Sequence, residues 1–265
     1  MSTDSAKIVS ARSLEFAYEP KTMPLVIDDV SMDVTRGHFC GLIGPNGCGK
    51  STLLRLLSGV LAPRSGSVVF EGQPLEAIEP RERAKRIGYV PQQQNRVFPF
   101  TALEVVLTGR SPYTPRFRFE NARDREIARE ALAAVGAEHL AARAITELSG
   151  GEQQMVVVAR ALAQQARLLL LDEPAAALDL KHRAELLSAL QRLREERELT
   201  VVVVTHDLQM LDATFDHLFA LRGGRLVAEG PPEDVLTEST LSEVYEDPHV
   251  RAHRIEGRTF VWSER

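Results

Sequence analysis

An α/β fold with a mixed, largely parallel sheet is predicted for this chain of 265 residues, and three short segments predict it. Residues 39–43, 168–171 (four leucines) and 201–204 (four valines) are unbroken apolar runs of strand length, the texture of strands buried on both faces. The last two are separated by an amphipathic stretch at 180–196, long enough for the crossover helix that parallel neighbours need. Composition agrees with a large core, at 44% hydrophobic and 26% charged. The N-terminus carries no apolar signal region and the aliphatic runs are far below spanning length, so the chain is expected neither to cross a membrane nor to enter the secretory route. Cys40 and Cys48 lack metal-binding spacing and read as reduced cytosolic thiols with no structural metal. A net charge of −5 leaves no global footprint for nucleic acid, and the Arg-rich run 110–129 is expected to meet a partner protein or solvent rather than DNA.

In chain order, residues 7–18 and 25–34 alternate apolar and polar around Pro20 and Pro24, which predicts an N-terminal antiparallel β subdomain. The run 39–43 then leads into Gly44-Pro45-Asn46-Gly47-Cys48-Gly49-Lys50-Ser51-Thr52, and 51–57 reads as a helix. Residues 66–72 look like a further strand. From about Phe98 to Ala144 the texture turns helical, with Ile127, Ala131, Leu132 and Val135 on one face and an N-cap box at Asn121 and Asp124. This predicts an inserted α-helical subdomain, placed at residues 95–155 of a single-domain chain. The tail, 231–265, is expected to pack as small helical and extended segments on the outside.

Residues 44–52 fit the pattern G-x-x-x-x-G-K-[ST] at every fixed position, in strand-loop-helix context. The glycines let backbone N–H groups turn toward phosphates, Lys50 brings a point charge to the terminal ones, and Ser51 offers a hydroxyl to Mg²⁺. The rival is a Gly-rich turn before an ordinary helix. The leucine run ends in Asp172-Glu173-Pro174, at the strand edge where α/β sheets hold ligands. Asp172 is placed to hold Mg²⁺ through water, and Glu173 to polarise a water for attack on a γ-phosphate; a solvated turn is the bland alternative. Leu148-Ser149-Gly150-Gly151-Glu152 opens a helix and reads either as a second anion site or as a plain helix cap.

Together these three motifs resemble the ATP-binding cassette family over essentially the whole chain. The resemblance implies a P-loop NTPase core, ATP and Mg²⁺ as cofactors, and a homodimer in which each ATP lies between one phosphate loop and the Ser149, Gly150, Gly151 and Glu152 segment of the other copy. It also implies roles. Tyr18, by itself a core strand tyrosine, becomes the aromatic that stacks on adenine. Gln92, with Gln93 and Gln94 beside it, matches the glutamine that touches Mg²⁺ and the attacking water, His206 the histidine on the γ-phosphate, and Asp179 the aspartate that communicates across the dimer. Mg²⁺ would be held by Ser51, Gln92 and Asp172. Two positions depart from the pattern. Ala175-Ala176-Ala177 replaces the usual Thr and Ser or Asn, which implies fewer hydrogen bonds across the dimer. Cys48, beside a lysine and a helix N-terminus, is expected to have a lowered pKa, so that its modification blocks ATP binding.

The stretch Phe98-Pro99-Phe100 with Glu104 to Arg110, and the tail around Leu241, Val244 and Tyr245, is similar to the importers for iron-siderophore, haem and cobalamin. That implies docking on separate polytopic permease subunits at the cytoplasmic face of the membrane, with a periplasmic or surface substrate-binding protein engaged indirectly and no nucleic acid. An oxyanion importer such as one for molybdate, an exporter, a regulatory cassette and a soluble non-transport cassette are the alternatives.

Overall fold

The structure, a computed structural model, describes residues 7–19, 24–92, 99–114, 120–211, 214–255 and 258–264. Pro20, Gln93, Gln94 and Phe98, on which parts of the sequence reading fall, lie outside the described residues. The chain divides into two compact units, one of Met1–Ile78 with Thr200–Arg265 and one of Glu79–Leu199.

The first unit opens with β1 (Lys7–Phe16) and β2 (Ile27–Thr35), an antiparallel pair that sets Ala11 opposite Met32 and Leu14 opposite Val30. A register shift between Ala11 and Leu14, with Ser13 left-handed at φ 43, breaks the two-residue alternation so that both are buried, and a large aliphatic such as Leu14 gains about 1.5–3 kcal/mol from burial. The strand β3 (Phe39–Ile43) is buried at all five positions and feeds α1 (Lys50–Ser58). Then β4 (Ser65–Phe70) and β5 (Gln73–Pro74) complete an antiparallel sheet in the order β2-β1-β4-β5.

In the second unit, α2 (Pro80–Arg86) starts with Pro80 in its first turn, and the Glu79 carboxylate accepts the N–H groups of Arg81 and Glu82. It runs directly into β6 (Ile87–Val90). Three helices follow: α3 (Ala102–Leu107), α4 (Ala122–Ala134) and α5 (Gly150–Ala163). Each opens with a reciprocal capping box, Thr101 with Glu104, Asn121 with Asp124 and Ser149 with Glu152, so that two otherwise orphaned N–H groups are satisfied at each helix start. The face predicted for α4 is the buried one, with Ile127, Ala131 and Leu132 packed inward and Val135 just beyond. Strand β7 (Leu168–Asp172) pairs parallel with β6, Tyr89 opposite Leu170, and α6 (Leu180–Arg197) follows.

Arg110 corrects the sequence reading. Arg123, Arg125 and Arg129 of the Arg-rich run are exposed, but Arg110 is only 5% exposed. Its Nε donates to Asp124 at 3.0 Å, one terminal nitrogen donates to the Ala163 carbonyl at 2.8 Å, and the guanidinium lies 3.9 Å from the centre of the Tyr113 ring. A charge so satisfied tolerates burial, and here it joins the start of α4 to the end of α5. In the same stretch Val106 is core, while Phe100 stands 55% exposed.

The first unit resumes with β8 (Thr200–Val204), parallel to β3 with Phe39 opposite Val201, and β9 (His217–Arg222), parallel on the other side of β3 with Cys40 opposite His217. Strand β10 (Arg225–Gly230) turns back antiparallel on β9. The tail holds the expected short helices, α7 (Pro232–Val235) and α8 (Glu238–Tyr245), but Leu241 and Val244 are fully buried rather than laid on the surface. It also holds a hairpin, β11 (Val250–Ile255) with β12 (Arg258–Ser263), fastened where Gln209 donates to the Val261 carbonyl at 3.0 Å. No helix among the described residues is long and apolar enough to cross a membrane.

Removing Arg110 strands a buried carboxylate, so Arg110→Ala is expected to lower unfolding free energy by about 3–5 kcal/mol in urea titration, and Arg110→Lys to recover only part of it because an ammonium lacks the planar fork. A loss below about 1 kcal/mol would mean the ion pair does not hold the helices together.

Candidate active site

The phosphate loop is built by the first unit. Strand β3 is flanked on both sides by parallel strands, so its carboxyl end is fixed, and the chain leaves it at Gly44. Gly44 has φ 144, and a Cβ there would collide with the Leu221 carbonyl of β9, so no other residue brings the loop this close. The turn is closed by Cys48 N–H to the Pro45 carbonyl at 3.3 Å. Gly49, at φ 108, then starts α1 with no side-chain cap, unlike α3 to α6. The first turn of α1 carries no acidic residue, which leaves its amide dipoles for an anion.

Lys50 is 6% exposed and donates to the carbonyls of Gly44 at 2.8 Å and Pro45 at 2.9 Å. An ammonium has three donors, so two hold the loop's start and one remains for a phosphate oxygen. Asn46 and Gly47 are exposed at the loop tip, Ser51 is half-buried and Thr52 buried. The structure brings Tyr18 to this loop. Its hydroxyl lies 3.1 Å from the Thr52 hydroxyl and receives Arg55 at 3.2 Å, and its ring, edge-on to Phe16, is 48% exposed. A half-exposed ring pinned by its own polar tip is suited to stacking rather than to core packing. His206 follows β8 and is exposed.

The second unit carries the carboxylates. Asp172, 1% exposed, ends β7. Glu173 adopts φ 51, a left-handed conformation uncommon for a side-chain-bearing residue. Gln92 Nε2 donates to Glu173 Oε2 at 2.8 Å, which fixes that carboxylate's orientation. At the Ser149 segment the Ser149 hydroxyl accepts the Glu152 N–H at 3.3 Å and the Glu152 carboxylate accepts the Ser149 N–H at 2.7 Å, so this segment is a helix cap, with Ser149 and Gly150 exposed and Gly151 half-buried. These bonds hold the Glu152 carboxyl below the usual range, the Ser149 backbone N–H first and its hydroxyl next. Asp179 caps α6, accepting the His182 N–H at 2.9 Å and lying 2.8 Å from the same residue's Nδ1, and its carboxyl is likewise lowered, chiefly by that backbone bond. Ala175 is buried, and Ala176 and Ala177 are exposed.

Residues 27–176 match the protein-family model described as ABC transporter. The chain belongs to the ABC transporter family. A ferric enterobactin transport ATP-binding protein of Escherichia coli (strain K12) is 37% identical over 243 residues, 92% of this chain and 89% of its own. A hemin import ATP-binding protein of Nocardia farcinica (strain IFM 10152) is 44% identical over 238 residues, 89% of this chain and 81% of its own. Among solved structures, a metal-chelate type ABC transporter in an inward-facing conformation aligns over 96% of both chains with TM-score 0.80 and 32% identity. A bacterial ABC transporter cassette solved as a dimer aligns over 84% of this chain and 98% of its own, with TM-score 0.76 and 31% identity. As an ATP-binding subunit of this family, the ABC protein hydrolyses ATP.

Cys48 of this ABC ATPase departs from the sequence expectation. The thiol is 6% exposed, and burial pushes its pKa up against the lowering effects of the Lys50 charge and nearby amides. Desolvation wins because Lys50 is itself engaged with carbonyls. The sequence reading also missed Thr52 and Arg55 as partners of Tyr18, which no local signal announces because they lie more than thirty residues away.

With its pKa raised by burial, Cys48 stays a protonated thiol at neutral pH. A disulfide reagent is therefore expected to label the folded chain at least about tenfold more slowly than the urea-unfolded chain, and faster labelling of folded Cys48, located by peptide mapping, would restore the reactive-thiol reading.

Proposed function

We propose that this ABC ATPase powers uptake of a metal chelate, of the iron-siderophore, haem or cobalamin type, as a homodimer docked on separate polytopic permease subunits at the cytoplasmic face of the membrane. The observation that carries the coupling is the hydrogen bond from Gln92 to Glu173. Gln92 leaves β6 on the way to the helices α3 to α5, so displacement of that segment acts on the carboxylate that orients the attacking water. The cargo class follows the relatives, whose names specify ferric enterobactin and hemin, and the metal-chelate transporter whose fold this chain shares. A substrate-binding protein is engaged only through the permease. Within the chain, residues 95–155 form the inserted helical subdomain in this reading.

Each residue's part follows from its chemistry. Tyr18 stacks on adenine, Lys50 and the amides of residues 47–52 hold the phosphates, and His206 contacts the γ-phosphate. Glu173 takes the proton of the water as its oxygen bonds to the γ-phosphorus and the ADP oxygen leaves. Ser149, Gly150, Gly151 and Glu152 of the second copy cover the triphosphate, and Asp179 links the two sites. Ser51, Gln92 and Asp172 offer a hydroxyl, an amide and a carboxylate, an all-oxygen set that suits hard Mg²⁺, and among the described residues no cluster of three His, Cys, Asp or Glu suggests a softer metal. When bound, Mg²⁺ neutralises charge on the β- and γ-phosphates.

Glu173→Gln is expected to keep ATP binding while hydrolysis falls about 10²- to 10⁴-fold, and Lys50→Ala to lose both; near-normal turnover in the first or unchanged affinity in the second rejects the assigned role. The transport reading is checked by purifying the tagged chain from gently solubilised membranes. Copurification of a polytopic permease is expected, whereas recovery with ribosomes or DNA would make it a soluble machine.

A further inference from the structure

Tyr18 lies two residues beyond the end of β1, past the strand pairing that fixes the backbone, and its ring is held by side chains instead. Phe16, the last residue of the strand, meets the ring edge-on with centres 5.0 Å apart. At the polar tip, α1 offers Thr52 and Arg55, which at a spacing of three residues share a helix face. The Tyr18 hydroxyl lies 3.1 Å from the Thr52 hydroxyl, and a terminal nitrogen of Arg55 donates to it at 3.2 Å.

The direction of these bonds follows from the chemistry of the three groups. A guanidinium has no acceptor, so the phenol oxygen accepts from Arg55 and its single proton is directed to the Thr52 oxygen. Thr52 is a firm anchor, 5% exposed in the first turn of a helix whose Leu53, Leu54, Leu56 and Leu57 are all core. Arg55 is half-buried and stands apart from that packed face. A ring held at one edge and at its tip, yet 48% exposed, keeps surface free for a planar partner.

We propose that Arg55 is a positioning residue for the adenine of ATP: by donating to the Tyr18 hydroxyl it aims the phenol at Thr52 and holds the ring ready to stack. The inference rests on the reading of Tyr18 as the adenine-stacking aromatic. A ring free to turn about its side-chain torsions gives up that freedom when a base binds, whereas a ring already held gave it up on folding. Helix α1, whose uncapped start faces the phosphates, thereby also sets the base site, so one rigid element fixes the spacing between the two.

The test uses the full chain as wild type, Arg55→Met, Arg55→Lys, Tyr18→Phe, Tyr18→Ala and the double variant of Arg55→Met with Tyr18→Phe. Affinity for ATP and for inorganic tripolyphosphate, each with Mg²⁺, is measured by equilibrium titration, with KM and kcat for ATP. Arg55→Met keeps the stem and removes the donor. It is expected to weaken ATP affinity and raise KM by about 2- to 12-fold, the span of one net hydrogen bond, with kcat little changed and tripolyphosphate affinity within about twofold of wild type. Tyr18→Phe, which removes the acceptor, is expected to lose at least as much, the double variant to be no weaker than Tyr18→Phe, and Arg55→Lys to recover part of the loss. Unchanged ATP affinity in Arg55→Met overturns the proposal. An equal loss for tripolyphosphate also overturns it, by placing the effect on the phosphates or the helix, as do losses that add in the double variant. Tyr18→Ala separates the two failures: weakened ATP binding there beside unchanged binding in Arg55→Met sinks this inference alone, and unchanged ATP binding in Tyr18→Ala sinks the stacking reading under it.

Discussion

The close approach of Gly44 to the Leu221 carbonyl is the contact on which the phosphate loop depends. Strand β3 enters the loop with its position already set by β8 and β9, and a backbone laid directly on β9 leaves no slack at the loop's start. From there Lys50 folds back onto the carbonyls of Gly44 and Pro45, and Gly49 opens α1 with uncapped amides. Any side chain at Gly44 would push the loop off β9 and misdirect both the cation and the helix dipole, because a shaped anion site needs its donors held before the anion arrives.

Helix starts in this protein divide by what satisfies their N–H groups. Those of α3, α4 and α5 are closed by capping boxes and that of α6 by Asp179, each tied locally and independent of any ligand. The start of α1 has glycine where those helices have an oxygen, which leaves the anion to complete it. The Ser149 segment is intermediate in kind: its serine is spent on the cap, while its glycines give access to the same helix end. In the second unit Gln165, Glu173 and Glu198 hold left-handed backbones, and of these Glu173 has its carboxylate bound by the Gln92 amide.

Burial and charge compete at three positions, and the partners decide which wins. Arg110 is accommodated in the core because Asp124, the Ala163 carbonyl and the Tyr113 face surround its guanidinium. Cys48 keeps its proton because the nearby ammonium is already committed to two carbonyls. Tyr245 keeps its proton as well, because burial pushes its phenol up to about 12.

By itself the sequence determined what local chemistry dictates. Four valines or four leucines in a row have no polar face to offer water, so β7 and β8 were legible, as was β3. The pattern at 44–52 fixes a phosphate loop because glycine, lysine and serine act there through their own backbone and side chain, and Asn121 with Asp124 names its helix start for the same reason. Only the tertiary structure decided which arginine of the 110–129 run is buried, that Cys48 is a desolvated thiol rather than a reactive one, that Tyr18 meets Thr52, and that the tail ends in a hairpin beside α8. The physical reason is common to all four: burial and hydrogen-bond partnership are set by groups distant in the chain, and a one-dimensional pattern carries the period of an element but not the identity of what packs against it.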